Sequence, residues 1–221
     1  MTSRNDILAR VRSNLGVAAE SDAAAAERRQ RALATLAARS EGPRPRIGGD
    51  LVQRFADKSL AMASTLARVA TLAEVPAAVA AYLAGLALPP RAVCWPALAA
   101  LDWCGAGLDV AARPAHGDDL VGITGCFCAI AETGTLMLAS GPDTAATTSL
   151  LPETHIAIVP QSRIVPVMEA GFALLRAEQG DDLPRAVNFV SGPSRTGDIE
   201  QTIVLGAHGP YRVHLILVTG A

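Results

Sequence analysis

The sequence predicts an α/β fold built around a largely parallel sheet. Short segments of β-branched and apolar residues alternate along the chain with alanine-rich segments of helical spacing, which is the pattern of layered α/β folds. The chain has 221 residues, of which 50% are hydrophobic and 18% are charged. This composition favours a globular domain with a substantial core and excludes a disordered chain.

The N-terminal residues predict a helical extension ahead of the main domain. Ser3 is placed to cap a first helix, in which apolar residues recur at helical spacing before Gly16 offers a stop. A second helix is predicted from Ser21 to Ala38. Because proline and glycine interrupt residues 41–49, we predict an extension and linker over residues 1–49 and an α/β domain over residues 50–221.

The elements of the main domain follow from the periodicity of its apolar residues. Helices are predicted over residues 50–62, 74–86, 97–104, 164–178 and 197–205. Strands are predicted over residues 66–70, 91–95, 108–111, 155–159, 185–190 and 212–218. Gly122 and Gly125 indicate a turn, and residues 129–139 predict either a pair of strands or one long bulged strand.

Charge and hydropathy exclude several classes of protein. The formal net charge of -2 gives no field to attract nucleic-acid phosphates. Every apolar run is interrupted before the roughly 20 residues that a membrane-spanning helix requires. Since the first residues also lack the apolar segment of a secretory signal, we expect a cytoplasmic protein whose cysteines are thiols.

The segment from Ser191 to Glu200 is the strongest candidate for a ligand-binding loop. It follows a predicted strand and opens a predicted helix, which is where open α/β sheets bind ligands. Gly192 permits an unusual backbone conformation, and Arg195 offers a positive charge to an anion. Asp198 and Glu200, however, would occupy the helix N-terminus that an anion prefers. A capped helix start after a tight turn is the alternative interpretation.

Glu132 places a carboxylate in the middle of an apolar run. Because an unpaired buried charge is costly, we expect it to be paired, protonated or exposed at a bulge made by Gly134. It is a candidate general base or nucleophile if burial raises its pKa. Two structural roles stay open, which are capping of backbone N–H groups and an ion pair with Arg195.

The histidines and cysteines give weaker indications. His208 lies near the predicted end of a helix, where a capping or hydrogen-bonding role is expected. The histidines have no metal-ligand spacing. Cys126 and Cys128 are separated by one residue, closer than paired zinc or iron–sulfur ligands usually are, so buried free thiols are expected.

Three motifs together resemble the lactate-utilisation protein C family (LutC/YkgG), which carries the LUD domain. They are residues 122–125 with 129–135, residues 191–200, and residues 206–210. The resemblance implies a three-layer fold with helices on both faces of the sheet, like that of glucosamine-phosphate deaminase, ribose-phosphate isomerase and CoA transferases. It also implies a cytoplasmic subunit of a system that oxidises L-lactate to pyruvate, with iron–sulfur clusters on partner subunits and no cofactor in this chain.

The resemblance and the residue patterns together define the candidate site. Glu132 is the candidate catalytic residue. The candidate ligand-binding residues are Gly125, Thr133, Gly134, Thr135, Ser191, Gly192, Ser194, Arg195, Thr196, Asp198, Glu200 and His208. The alternative to a lactate-oxidation subunit is a stand-alone CoA-transferase-like or sugar-phosphate-type enzyme that uses Glu132, and a small-molecule sensor is a third hypothesis.

Overall fold

The computed structural model describes residues 3–15, 21–38, 40, 42–43, 45–180, 182–197 and 204–220. The chain divides into two compact units, Met1–Arg46 and Ile47–Ala221. The predicted boundary between the N-terminal extension with its linker, residues 1–49, and the α/β domain, residues 50–221, stays a prediction. Within the described part of the chain, no helix is long and apolar enough to cross a membrane.

The first unit contains two helices, α1 (Arg4–Asn14) and α2 (Asp22–Ala38). Ser3 caps α1 as predicted, since its hydroxyl accepts from the Asp6 N–H and its own N–H donates to the Asp6 carboxylate. No residue of either helix is buried among the residues described. The stop predicted at Gly16 lies outside the described residues.

The second unit contains four further helices and twelve strands among its described residues. In chain order they are α3 (Leu51–Ala61), β1 (Thr65–Val69), α4 (Val75–Gly85), β2 (Arg91–Cys94), β3 (Asp109–Ala112), β4 (Val121–Thr124), β5 (Cys128–Ile130), β6 (Thr135–Ala139), α5 (Thr147–Leu150), β7 (Thr154–Pro160), β8 (Ile164–Val165), α6 (Met168–Gln179), β9 (Val187–Val190), β10 (Arg195–Thr196), β11 (Val204–Leu205) and β12 (Arg212–Val218).

Six parallel strands form the central sheet in the order β1-β12-β7-β4-β2-β3. Side chains alternate between its faces because the side-chain period of a strand is two. On one face, Ile216 and its neighbours pack against Val79 and Leu83 of α4. On the other, Leu215 and its neighbours pack against Phe55 of α3 and Leu136 of β6.

A second sheet covers that other face, with the strand order β8-β5-β6-β9. Strands β5 and β6 form an antiparallel hairpin, which selects the strand pair over the long bulged strand for residues 129–139. The outer face of this sheet, with Cys128, Ile130 and Met137, packs against Leu175 of α6. The predicted mixed α/β fold with a mostly parallel central sheet is confirmed, and the second sheet is a layer that the sequence did not reveal.

Gly122 lies in a strand and not in the predicted turn. It belongs to β4, between β2 and β7 in the central sheet. A Cβ atom there would lie 2.0 Å from the carbonyl oxygen of Thr148, so the backbone of α5 occupies the space of a side chain. The glycine therefore serves close packing, a use that resembles a turn signal in sequence.

Three predicted helices need correction. Residues 97–104 contain only a short 3₁₀ turn at Pro96–Leu98. The helix predicted from residue 164 begins at Met168, because Ile164–Val165 form β8 and Pro166 disfavours a helical residue before it. In the segment predicted as helix 197–205, Val204–Leu205 form a strand paired with Arg195–Thr196, and residues 198–203 lie outside the described residues.

Candidate functional site

Two loops of the candidate motifs dock on the C-terminal end of α3. Gly134 and Gly192 have φ angles of +69° and +77°, in the left-handed region that favours glycine. A Cβ at Gly134 would lie 2.4 Å from the Ser59 nitrogen, and one at Gly192 would lie 2.1 Å from the Met62 carbonyl oxygen. Both turns therefore need glycine for conformation and for space.

Ser59 joins α3 to the first of these turns. Its buried hydroxyl oxygen lies 2.8 Å from the Phe55 carbonyl oxygen and 3.2 Å from that of Gly134, and its one proton is shared between these two acceptors. This residue belongs to none of the three sequence motifs. A small polar residue one turn after Phe55, on the apolar face of an amphipathic helix, is the signal that identifies it.

A chain of three hydroxyl groups links the two motifs. The hydroxyl oxygen of Thr135 lies 2.7 Å from that of Thr133 and 2.6 Å from that of Ser191. The pairing of β6 with β9, which sets Val190 opposite Leu136, brings Ser191 beside Thr135. Thr135 is only 3% exposed, whereas Thr133 and Ser191 are exposed. The chain therefore begins and ends at the surface, where its outer hydroxyls retain hydrogen-bonding capacity for a ligand.

Glu132 lies on the same turn and is half-buried. Its backbone N–H donates to the Pro166 carbonyl oxygen at 3.0 Å. Among the described residues, its carboxylate has neither an ion pair with Arg195 nor a hydrogen bond to a backbone N–H, so neither predicted structural role is observed. The residue precedes Thr133, which forms one end of the hydroxyl chain.

Ser194 connects the second motif to the third. Its backbone N–H donates to the Pro210 carbonyl oxygen at 2.9 Å, and its hydroxyl accepts from the His208 N–H at 3.4 Å. The His208 side chain is exposed, and the element that precedes its loop is β11 in place of the predicted helix end. Arg195 and Thr196 form β10, and Asp198 and Glu200 lie outside the described residues.

Gly125 is separate from this cluster. A Cβ there would lie 3.8 Å from the Trp95 ring, after the carboxyl end of β4. The bond from the Phe127 N–H to the Met137 carbonyl oxygen places this loop at the opposite end of the β5–β6 hairpin from Thr133. The sequence motif that contains Gly125 is therefore split between two ends of the second sheet.

The cluster lies at the amino ends of central strands. Gly192 contacts Met62, which precedes β1, and Ser194 bonds to Pro210, which precedes β12. Ser191 does follow the carboxyl end of a strand, but that strand is β9 of the second sheet. A ligand site was expected at the carboxyl ends of the strands. The cluster meets this expectation for β9 of the second sheet but not for the strands of the central sheet.

The thiols of Cys94, Cys126 and Cys128 are held in their protonated form. Burial raises the pKa of Cys94 and Cys128 to about 11 and that of Cys126 to about 12. The Cys128 sulfur lies 3.6 Å from the Met137 sulfur in the core under α6. No group of three metal-ligating side chains was found in the described ranges. Cys94 and Cys128 are buried and Cys126 is partly buried, and the role predicted for them stays a prediction.

Two histidines of the central sheet are buried in hydrogen-bonded positions. The Nε2 atom of His155 lies 2.8 Å from the Thr124 hydroxyl, and the Nδ1 atom of His214 lies 2.8 Å from the Thr65 hydroxyl. His214 also stacks on Tyr82 at a centroid distance of 3.8 Å. Burial lowers the pKa of each imidazole to about 4 from the usual 6.5.

These histidines predict a loss of stability in mild acid. Because their folded pKa lies below the unfolded value, the stability that they contribute is complete above about pH 6.5 and is lost as the pH falls toward about 4. The melting temperature should therefore fall between about pH 7 and pH 5. We expect His155→Gln and His214→Gln to flatten this dependence and His116→Gln, at an exposed position, to leave it unchanged. Equal slopes in all three variants would contradict the assignment.

The comparison with known families agrees with the motifs. The LUD domain family matches residues 102–218, more than half of the chain, and this range contains all three motifs. The chain belongs to the LUD domain family. The resemblance inferred from the sequence is thereby confirmed, whereas α3, which supports the candidate site, precedes the matched residues of the LUD domain.

Relatives and a solved structure extend this finding. Lactate utilization protein C of Bacillus licheniformis is 43% identical to the LUD protein over 100 residues, covering 44% of this chain and 42% of that protein. The protein of the same name from Bacillus subtilis is 44% identical over 101 residues, covering 45% and 42%. These matches span less than half the length of either relative. The crystal structure of a DUF162 family protein from Deinococcus radiodurans matches with a TM-score of 0.59 and 26% identity, covering 79% of this chain and all of that one.

Proposed function

We propose that this LUD-family protein serves lactate utilisation, as a cytoplasmic subunit of a system that oxidises L-lactate to pyruvate. The observation that carries the proposal is the 43–44% identity to lactate utilization protein C from two Bacillus species. The similarity covers about 100 residues of each protein. We assign the ligand site to the hydroxyl chain of Thr133, Thr135 and Ser191, which has free hydrogen-bonding capacity at both ends.

The electron acceptors are assigned to iron–sulfur partner proteins. Oxidation of L-lactate to pyruvate releases two electrons and two protons, so the system needs an acceptor. The resemblance to the lactate-utilisation protein C family supports a division of labour in which the LUD protein contributes ligand binding and its partners contribute electron transfer.

Growth on L-lactate tests the proposal. We expect deletion of the gene from its host to prevent growth on L-lactate but not on glucose, and the intact gene to restore it. The double variant Thr135→Val/Ser191→Ala removes the central and one outer hydroxyl, and lactate consumption should fall at least tenfold. Ser162→Ala removes an exposed hydroxyl remote from the motifs and should restore growth fully.

Purification tests the partners directly. Tagged protein isolated without oxygen from cells grown on L-lactate should carry iron–sulfur proteins, identified by mass spectrometry and by a brown visible absorption. A colourless protein without partners, or a deletion strain that grows normally on L-lactate, would contradict the proposed role.

Glu132 favours one alternative function. The residue is half-buried next to Thr133, and its carboxylate has no partner among the described residues, as a nucleophile or general base would require. A stand-alone enzyme of the CoA-transferase-like or sugar-phosphate type would use it in this role. Turnover of an acyl-CoA or sugar phosphate by the purified protein, abolished by Glu132→Gln, would select this alternative over the lactate-oxidation subunit.

A further inference from the structure

One flank of α3 carries two cationic side chains, and Lys58 contacts the turn that contains Gly134. Arg54 and Lys58 are one helical turn apart and therefore lie on the same side of the helix. The Cβ of Lys58 lies 2.9 Å from the position that a Cβ would occupy at Gly134, so the lysine begins in direct contact with the turn. The Arg68 guanidinium of β1 donates to the side-chain oxygen of Gln53, the residue next to Arg54 in sequence.

The acidic groups near these cations are already engaged. A groove of about 310 Å³ is lined by Asp50, Gln53, Arg54, Asp57 and Lys58. The Asp50 carboxylate accepts from the Val52 and Gln53 N–H groups at the start of α3, and the Asp57 carboxylate accepts from the Gln53 amide at 2.8 Å. The donors in these bonds are neutral, and neither carboxylate pairs with Arg54 or Lys58 among the described residues.

The described residues provide no hydrogen-bond acceptor for the side chains of Arg54 and Lys58. The Nε atom of Arg54 is moreover shielded from solvent, so its N–H can be satisfied by neither bulk water nor a described neighbour. A buried guanidinium N–H without an acceptor is unfavourable, and an anion that reached it would remove this cost. Two cations without a described acceptor are suited to bind an anion, and Lys58 links them to the turn that precedes Thr135.

We propose that Arg54 and Lys58 bind the carboxylate of a small hydroxy acid or keto acid, whose neighbouring oxygen meets the Thr133–Thr135–Ser191 hydroxyl chain. The inference rests on the proposed function, because it deepens the assignment of the ligand site. The planar guanidinium suits a carboxylate, to which it donates two parallel hydrogen bonds, and the Lys58 ammonium adds a second charge. The hydroxyl chain supplies donors and acceptors for a hydroxyl or carbonyl oxygen.

Calorimetric titration of the full-length protein tests this site. The probes are L-lactate, which has both groups, acetate, which has only the carboxylate, and inorganic phosphate, an anion of different geometry. We expect L-lactate to bind more tightly than acetate or phosphate. The double variant Arg54→Gln/Lys58→Gln should weaken L-lactate binding at least tenfold. Arg176→Gln, which removes a positive charge from an exposed position on α6, should change it less than twofold.

The outcomes separate this inference from the proposed function. If the double variant keeps its melting temperature and its affinity for L-lactate, Arg54 and Lys58 do not bind the carboxylate. The growth phenotype of the deletion strain tests the proposed function separately. Phosphate binding without L-lactate or acetate binding overturns the carboxylate class. Absence of binding by all three probes overturns the site. If the single variants each weaken L-lactate binding and the double variant weakens it further, both cations contact the anion.

Discussion

Gly192→Ala is expected to lower the free energy of unfolding by about 2–5 kcal/mol and to abolish ligand binding at the hydroxyl chain. A side chain at a φ of +77° costs about 1–2 kcal/mol. Its Cβ would also lie 2.1 Å from the Met62 carbonyl oxygen, and relief of such overpacking costs about 1–3 kcal/mol more. The displaced loop would carry Ser191 away from Thr135 and break the hydroxyl chain. Urea denaturation and calorimetric titration measure the two effects.

Gly107→Ala is the control that separates the cost of the positive φ from the cost of the steric clash. Gly107 has a nearly equal φ of +75°, but no atom lies within 4 Å of its added Cβ. Its replacement should therefore cost only the conformational part, about 1–2 kcal/mol. If Gly192→Ala lowers the free energy of unfolding no more than Gly107→Ala does, the steric clash with Met62 does not contribute to the destabilisation.

The second large effect is expected at Phe55. This side chain is 0% exposed and joins α3 to the core between the two sheets. We expect Phe55→Ala to destabilise the protein by about 3–5 kcal/mol, because truncation loses buried apolar contact and leaves a cavity. Since Ser59 on this helix and Met62 at its C-cap support the two motif loops, ligand affinity should fall as well.

Phe189→Ala is the matched control. It makes the same chemical change at a side chain that is 40% exposed, where less contact is lost. Thermal and urea denaturation of both variants compare the two positions. Similar losses at Phe55 and Phe189 would mean that α3 is not anchored through its phenylalanine.

The alternation of apolar strands and alanine-rich helices predicted the main architecture because each element carries its own periodic signal. Helix α3, strand β7 and strand β12 follow from residues close in sequence. Gly122 was misread as a turn because close packing against Thr148 is a tertiary requirement, invisible in the local pattern. The short strands β8, β10 and β11 have only two residues each, too few to show periodicity.

The candidate site was predicted as separate motifs and not as an arrangement. Ser191 and Thr135 are 56 residues apart, and only the pairing of β6 with β9 brings their hydroxyls together. The ion pair considered between Glu132 and Arg195 could not be judged without the fold, because both residues lie in loops or short strands. The contribution of α3 could not be predicted because its residues match no motif. Ser59 contacts the Gly134 carbonyl oxygen only because the fold brings this turn against the helix.

The raised pKa values of three thiols bear on how fast each cysteine is oxidised. Oxidation to sulfenic acid and disulfide exchange proceed through thiolate, and a thiol of pKa about 11 is ionised at neutral pH in only about one molecule in ten thousand. Cys94 and Cys128, both buried, and Cys126, with a pKa of about 12, are therefore slow to react with peroxide. Exposed Cys104 is the thiol that an alkylating reagent or peroxide reaches first.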